Sequence, residues 1–195
     1  MRILLLSLTS SLLLAQYRVI AEQRESSKQA IFQVEMLLTP TALRWRYMGT
    51  WYEKKASLDF LFTPKQALWV DDSAKVAYEL DFPQLDSLPY TAYKKEKEEV
   101  LGRSYDTWLF FLPGRSIETV WDTTLSFDWQ PWLRYIDPGG MGTPARYFRF
   151  GIPLLLRVFD DKKSVLLEFR VLEIQKYNSS AIDLQTSYPV RRLGN

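Results

Sequence analysis

From residue 30 to residue 82 the apolar residues return at every second position, in runs separated by Pro, Gly or Asp-rich breaks. One face carries Phe32, Val34, Met36 and Leu38, then Leu43, Trp45 and Tyr47, then Leu58, Phe60 and Phe62, then Val76, Tyr78, Leu80 and Phe82. The other carries Gln33, Glu35, Arg44, Arg46, Asp59, Lys75, Glu79 and Asp81. A period of two is that of a strand buried on one side. The pattern predicts an antiparallel meander with strands at 30–38, 41–48, 57–63, 67–70 and 75–82. Pro40 and Pro64 cannot donate to a ladder, Gly49 tolerates a positive φ, and Asp71-Asp72-Ser73 is turn-forming. Upstream, Tyr17, Val19 and Ala21 alternate with Arg18, Ile20 and Glu22 and read as an earlier strand, followed by a polar turn over 22–29.

Pro83 and Pro89 close the meander. Residues 90–100, with Lys94, Lys95, Glu96, Lys97, Glu98 and Glu99 at helical offsets, predict a helix with a solvated face that Gly102 stops. The strand pattern resumes at Ser104, with Tyr105, Thr107, Leu109 and Phe111 on one side and Trp108, Phe110 and Leu112 on the other, so this strand is central or covered on both faces. Pro113 to Ser116 turn it back into a strand at 117–121. Residues 129–136 suit a short helix. The glycine-rich run 137–144 lacks a phosphate-binding signature, because residue 145 onward reads as strand rather than helix; it is expected to be a mobile connection or a lid. Segments 153–159 and 164–176 flank Asp160-Asp161-Lys162-Lys163 as a hairpin, with Val165, Leu167, Phe169 and Val171 opposed to Glu168 and Arg170. The fold class is mainly β, a β-rich α+β arrangement with one continuous antiparallel sheet.

The first residues add a location. Met1 and Arg2 precede an apolar-leaning run over 3–15 that is too short to span a bilayer, which takes about 20 residues, and has the form of a secretion signal. A buried first strand or helix is the competing reading. Cleavage after Ala15 is preferred to cleavage after Ala21, because it leaves the strand beginning at Tyr17 intact. The division expected is a signal at 1–15 and a single domain at 16–195, with a periplasmic or extracellular destination. No cysteine follows the run to carry a lipoprotein anchor. Asn178-Ser179-Ser180 has the form of a glycosylation site, which has meaning only in a eukaryotic secretory pathway.

Composition excludes more than it assigns. The 195 residues carry a formal net charge of +2 with both signs scattered, which gives nucleic-acid binding little support. Cysteine and histidine are both absent. Thiolate nucleophiles, disulfides, zinc or iron–sulfur sites of the usual ligands and Ser-His-Asp triads are therefore ruled out, and no cofactor is expected. Seven Trp, eleven Tyr and eleven Phe favour strands and offer broad apolar surfaces.

The order of elements carries a resemblance. A secretion signal, an antiparallel meander, a helix, a Trp-containing hairpin, Gly151-Ile152-Pro153-Leu154 leading toward a long strand through Glu168 to Ile174, and a late Tyr188-Pro189 are together similar to bacterial secreted domains of unknown function that resemble the outer-membrane lipoprotein carrier (LolA-like) fold. The resemblance implies a strongly curved antiparallel sheet or incomplete barrel with one to three short helices covering its concave face. In the carriers that face holds acyl chains. No residue here matches a family site residue one by one.

On that basis the candidate ligand-binding residues are Trp45, Tyr47, Phe60, Phe62, Trp69, Tyr78, Trp108 and Phe110, the aromatic side of the sheet, with plain core packing as the alternative. The expected ligand is a lipid or other apolar molecule, or a lipoprotein; a structural or protein-interaction module of the envelope with a filled core is the alternative function. A carboxylate hydrolase using Asp122, Asp128 and Asp137 beside Trp121, Trp129 and Trp132 would require those acids to converge. Arg134, Tyr135 and Arg146 are candidates for holding an anion. An outer-membrane barrel fits poorly, since most runs are shorter than the 9–11 residues a spanning strand needs.

Overall fold

The computed structural model describes residues 16–26, 30–51, 54–82, 86–176 and 186–192; the expected signal at 1–15 and Asn178 lie outside them. The strands are β1 (Tyr17–Glu25), β2 (Ala30–Leu38), β3 (Leu43–Trp51), β4 (Lys54–Phe62), β5 (Ala67–Asp71), β6 (Val76–Leu80), β7 (Thr91–Val100), β8 (Arg103–Leu112), β9 (Arg115–Asp122), β10 (Ile152–Asp160), β11 (Val165–Lys176) and β12 (Val190–Arg192). They form one 12-stranded sheet in the order β12-β6-β5-β4-β3-β2-β1-β11-β10-β9-β8-β7. Two meanders, β2 to β6 and β7 to β11, meet on β1, which pairs antiparallel with β2 on one side and with β11 on the other. The ends of the sheet, β7 and β12, do not pair with each other, so the sheet is open. β12 runs parallel to β6, whereas the other pairings are antiparallel.

Register turns the alternation of the sequence into a surface. Trp45 lies opposite Met36 on β2 and Phe60 on β4, Tyr47 opposite Val34 and Leu58, and Phe62 opposite Leu43 and Ala67. These residues therefore share one face, and the core cluster gathers on it from Tyr17, Val19 and Ala21 across Phe32, Val34, Met36 and Leu38 to Ile117, Leu156, Val158 and Phe169. β2 has the expected bounds, while β1 continues as strand to Glu25 where a turn was expected.

Three local expectations are corrected. Residues 90–100 are not a helix: β7 is an extended edge strand hydrogen-bonded to β8 through a two-residue turn, Leu101-Gly102, in which both residues have positive φ (52° and 71°). Its Lys/Glu alternation pairs across strands rather than along a helix, Lys94 with Asp106 at 2.7 Å and Lys95 with Glu118. Dense charge is also what keeps an exposed edge from pairing with another chain. The glycine-rich run is not a free loop, since Met141, Gly142, Thr143 and Pro144 are buried. Residue 145 lies not in a strand but in a short helix, α1 (Thr143–Phe148), with Pro144 in its first turn, where a missing N–H costs nothing. The expected helix at 129–136 is a 3₁₀ segment, Gln130–Tyr135.

This insert between β9 and β10 reveals the curvature. β4 and β8 stand seven inter-strand steps apart, about 34 Å along a flat sheet at ~4.8 Å per step. Yet Tyr135, ending the 3₁₀ segment, packs on Phe62 of β4 at 5.3 Å, and Tyr147 and Phe148 of α1 pack on Phe110 of β8 at 5.3 and 6.3 Å. One short insert reaches both because the sheet curls around it.

The outer face is held differently. Arg44 and Asp59 form a buried bidentate pair at 2.9 and 2.6 Å, extended by Arg46, Glu35 and Arg18. Across the second meander Arg157 donates to Glu98, Glu118 and Glu168 at 2.7–3.1 Å, and Arg170 also reaches Glu98. A small apolar patch of Ala42, Leu61, Leu68, Val70 and Ala77 is covered by Tyr188, whose hydroxyl donates to Asp72 at 2.9 Å.

Candidate functional site

The inner face divides into two halves of different character. Over β8 to β10 it is filled. Trp129 and Trp132 are fully buried, and Trp129 donates its indole N–H to the Gly151 carbonyl at 2.8 Å. Trp121 stacks on Phe148 at 5.2 Å with 21° between the planes, and Trp108 packs edge-on against the same ring at 5.8 Å. Over β3 to β6 the insert reaches only as far as Tyr135, and rings remain in partial contact with solvent.

The eight sequence-predicted residues fall on both halves. Trp45, Tyr47, Phe60 and Phe62 form a connected set: Trp45 meets Phe62 edge-on at 6.0 Å, Tyr47 meets Phe60 at 6.2 Å, and Phe60 stacks over Phe62 at 6.3 Å. Trp69 and Tyr78 stack on each other at 5.3 Å. Register places Trp69 opposite both Phe60 and Tyr78, on the same face. Trp108 and Phe110 stand apart, under α1. Phe62 and Phe110 are buried, while Trp45, Tyr47, Phe60, Trp69, Tyr78 and Trp108 keep partial exposure.

Polar groups are few on this surface. The indole N–H of Trp45 is buried without an acceptor among the described residues. A donor so placed is costly to leave unmade, by about 1–3 kcal/mol. Burial, with the charge of Glu25, pushes the Tyr47 phenol well above its ordinary range, so the hydroxyl stays neutral at physiological pH. At the end of the face nearest β4–β6, Tyr135 donates to the Thr63 carbonyl at 2.9 Å and carries the Arg134 guanidinium 4.5 Å above its ring. A cavity of about 390 Å³ opens there, lined by Lys65, Gln66, Ala67, Glu79, Leu80, Asp81, Phe82, Arg134 and Tyr135.

Phe82, placed on this face by alternation but left out of the candidates, packs on Phe62 and Tyr135 at 6.2 and 5.6 Å; the insert residues Tyr147 and Phe148 were missed altogether. Their signal was the aromatic density between Phe127 and Phe150, which has no strand period to place it.

The three candidate acids of a hydrolase are each engaged elsewhere. Asp122 accepts from the Tyr105 hydroxyl at 3.2 Å and from the Thr124 N–H at 3.0 Å, closing the turn after β9. Asp128 accepts from the Gln130 N–H at 2.9 Å and meets Arg149 at 3.3 Å. Asp137 pairs with Arg115 at 3.8 Å. A cavity of about 340 Å³ beside Trp108, Trp121 and Phe148 is lined by Asp122 but by neither of the others. Of the anion candidates, Arg134 and Tyr135 come together, while Arg146 sits on α1 with a buried, unpartnered guanidinium nitrogen. Among the described residues no cluster of acidic side chains has the form of a metal site.

No family model and no curated protein matches this chain. Its likeness to solved structures is one of shape. An uncharacterised conserved protein from Thermus thermophilus superposes with a TM-score of 0.59 at 11% identity, covering 92% of this chain and 91% of that one. The MucA/MucB complex of Pseudomonas aeruginosa contains a chain that superposes with a TM-score of 0.52 at 12% identity, over 88% of this chain and 55% of that one, so this protein spans little more than half its length. A LolA superfamily protein from Nitrosomonas europaea aligns over 88% of this chain and 89% of that one, at 7% identity and a TM-score of 0.39. The likenesses to the Thermus protein and to the MucA/MucB complex show the fold alone, an open, curved sheet. The expected architecture, a curled antiparallel sheet with short helices on its inner face, is the one present.

Proposed function

We propose that this is an exported, non-catalytic protein of the bacterial envelope that holds an acyl chain, of a lipid or of a lipid-modified protein, on the open half of its inner face. The observation that carries the reading is the partial exposure of Trp45, Tyr47, Phe60, Trp69 and Tyr78, which strand register places together on one face. A partly exposed ring of this size leaves on the order of 50 Å² of apolar surface in water, so covering it is favourable by about 1 kcal/mol, and five rings make a sizeable driving force. The wall is rigid, its rings fixed by strand register and edge-on contacts, as a preformed apolar site requires. Its chemistry suits holding rather than reacting, because the candidate acids Asp122, Asp128 and Asp137 are each engaged in separate contacts. No helix among the described residues is long and apolar enough to cross a membrane.

Tryptophan quenching tests the reading. Brominated fatty acid added to the mature chain should quench Trp45 and Trp69 emission saturably, and Phe60→Lys with Tyr78→Lys should abolish the quenching without changing the far-ultraviolet circular dichroism. Native mass spectrometry of protein purified from the periplasm should show a lipid adduct that organic extraction removes. A dry protein that no brominated lipid quenches would overturn it. A protein-binding reading also has support: a relative in fold, MucB, has been solved in complex with MucA. It is separated from the first by whether delipidated protein still captures its partner after the ring substitutions.

A further inference from the structure

The cavity at the end of the aromatic face has a charge pattern that selects among amphiphiles. Three chain segments converge on it: the β4–β5 turn brings Lys65, the residue after β6 is Asp81, and the end of the 3₁₀ segment brings Arg134. Glu79, also at its wall, is engaged by Arg192 at 3.2 Å. No salt bridge joins Lys65 or Asp81 to another described residue. The Arg134 guanidinium rests on the Tyr135 ring and its hydroxyl rather than on a carboxylate. Two cations and one anion are thus left facing a common space of about 390 Å³.

Apart from Gln66, the remaining wall is apolar and leads inward. Ala67, Leu80, Phe82 and Tyr135 line the cavity. From Tyr135 the rings pass to Phe62 at 5.3 Å, to Phe60 at 6.3 Å and on to Tyr47 at 6.2 Å. That path is comparable in length to one leaflet's hydrocarbon, about 15 Å or half of a ~30 Å core. A ligand matching the whole surface has an apolar chain joined to a head carrying one negative group for Lys65 and Arg134 and one positive group for Asp81. A simple fatty acid would leave Asp81 facing its own charge, and an anionic glycerophospholipid would do the same.

We propose that this cavity receives the zwitterionic phosphate–ammonium head of a glycerophospholipid whose acyl chain lies on the aromatic face; this rests on the acyl-binding reading above. The phosphate accepts from Lys65 and Arg134, and charge-assisted bonds of that kind are the strong ones. The ammonium donates to Asp81, the contact that distinguishes this head from an anionic one.

Vesicles of equimolar dioleoyl phosphatidylethanolamine and dioleoyl phosphatidylglycerol provide the probe. The delipidated mature chain is incubated with them, recovered and analysed by native mass spectrometry. The expected result is retention of the ethanolamine lipid several-fold above the glycerol lipid. Asp81→Lys should invert that ratio, and Lys65→Glu with Arg134→Glu should lower retention of both. Asp81 is exposed, so its substitution leaves the fold intact, checked by an unchanged melting temperature. Retention in the vesicle ratio that Asp81→Lys leaves unchanged overturns the head-group assignment while sparing the aromatic groove. No retention of either lipid overturns both.

Discussion

Asp59→Ala tests whether the outer face is held by charge. The Asp59 carboxylate takes two bonds from Arg44 at 2.9 and 2.6 Å, and the Arg44 and Asp59 side chains are only 9% and 10% exposed. Arg46 also approaches Asp59 at 3.5 Å, but its carboxylate partner at closer range is Glu35, at 3.1 Å. Removing Asp59 therefore takes two charge-assisted bonds from a buried guanidinium, and breaking a buried pair from one side costs about 3–5 kcal/mol. Against a typical domain stability of about 5–15 kcal/mol this is severe. With a urea dependence of about 2 kcal/mol per molar, the midpoint should fall by about 1.5–2.5 M. Replacing both partners, Arg44→Met with Asp59→Leu, removes the buried charges together and should return stability to within about 1 kcal/mol of the parent. Glu22→Ala breaks a pair whose side chains are 61% and 38% exposed, and should shift the midpoint almost not at all. The measurement is urea unfolding followed by tryptophan fluorescence. A loss below about 1 kcal/mol for Asp59→Ala, or a double variant as unstable as the single one, would refute the reasoning.

The remaining predictions concern pH and a glycine. Burial works to raise the pKa of Glu35 and Glu118, but bonds from Arg18 and Arg46 to the first, and from Lys95 and Arg157 to the second, outweigh it and hold both below their ordinary value. Their contribution is present above about pH 4.5 and should be lost as pH falls through the depressed folded-state values; melting temperature against pH should show this acid limb, shallower in Glu118→Gln. The raised Tyr47 phenol works in the opposite sense: its stabilisation holds below its unfolded value near 10 and declines at higher pH, so Tyr47→Phe should flatten the alkaline limb. Gly49→Ala would place a Cβ 2.0 Å from the Ile31 carbonyl oxygen and 2.8 Å from the Phe32 Cα, and should cost at least about 2–3 kcal/mol by forcing β2 and β3 apart. Gly102→Ala meets nothing within 4 Å and should cost only the ~1–2 kcal/mol of its positive φ, a difference thermal melts will resolve.

Much of the sheet was legible because one period governs it. Wherever a strand has a wet face and a dry one, as in β2 to β4, alternation located the strand, and through register it also identified the shared aromatic surface. β7 escaped because an exposed edge strand has no dry face to impose the period; its Lys/Glu spacing satisfied a helix equally well, and pairing with β8 and the partners Asp106 on β8 and Glu118 on β9 decide the matter. The pairing of β1 with β11, more than 140 residues apart, leaves no local trace, yet it joins the two meanders into one sheet. The insert was the largest loss. Trp129, Trp132 and Phe148 are placed by what they pack on, and a glycine-rich approach disguised α1 as a loop running into a strand.

The site follows from the same asymmetry. The connection from β9 to β10 is long and aromatic, so it folds back over its own half of the inner face and packs Trp129, Trp132 and Phe148 into it. Its reach ends at Tyr135, held by Thr63 and Phe62. Beyond that point, β4 to β6 are joined by tight turns, such as the one Asp71 closes by accepting from the Ser73 and Ala74 N–H groups, and turns of that length have no side chains to spare for covering a face. The open rings are therefore a consequence of which connection is long, not of a failure to pack. Six of the eight residues that alternation nominated lie on this open half, while Trp108 and Phe110, on the same strand period, were claimed by α1. Period two determines which side of a sheet a ring points to; the lengths of the connections determine whether that side stays available to a ligand.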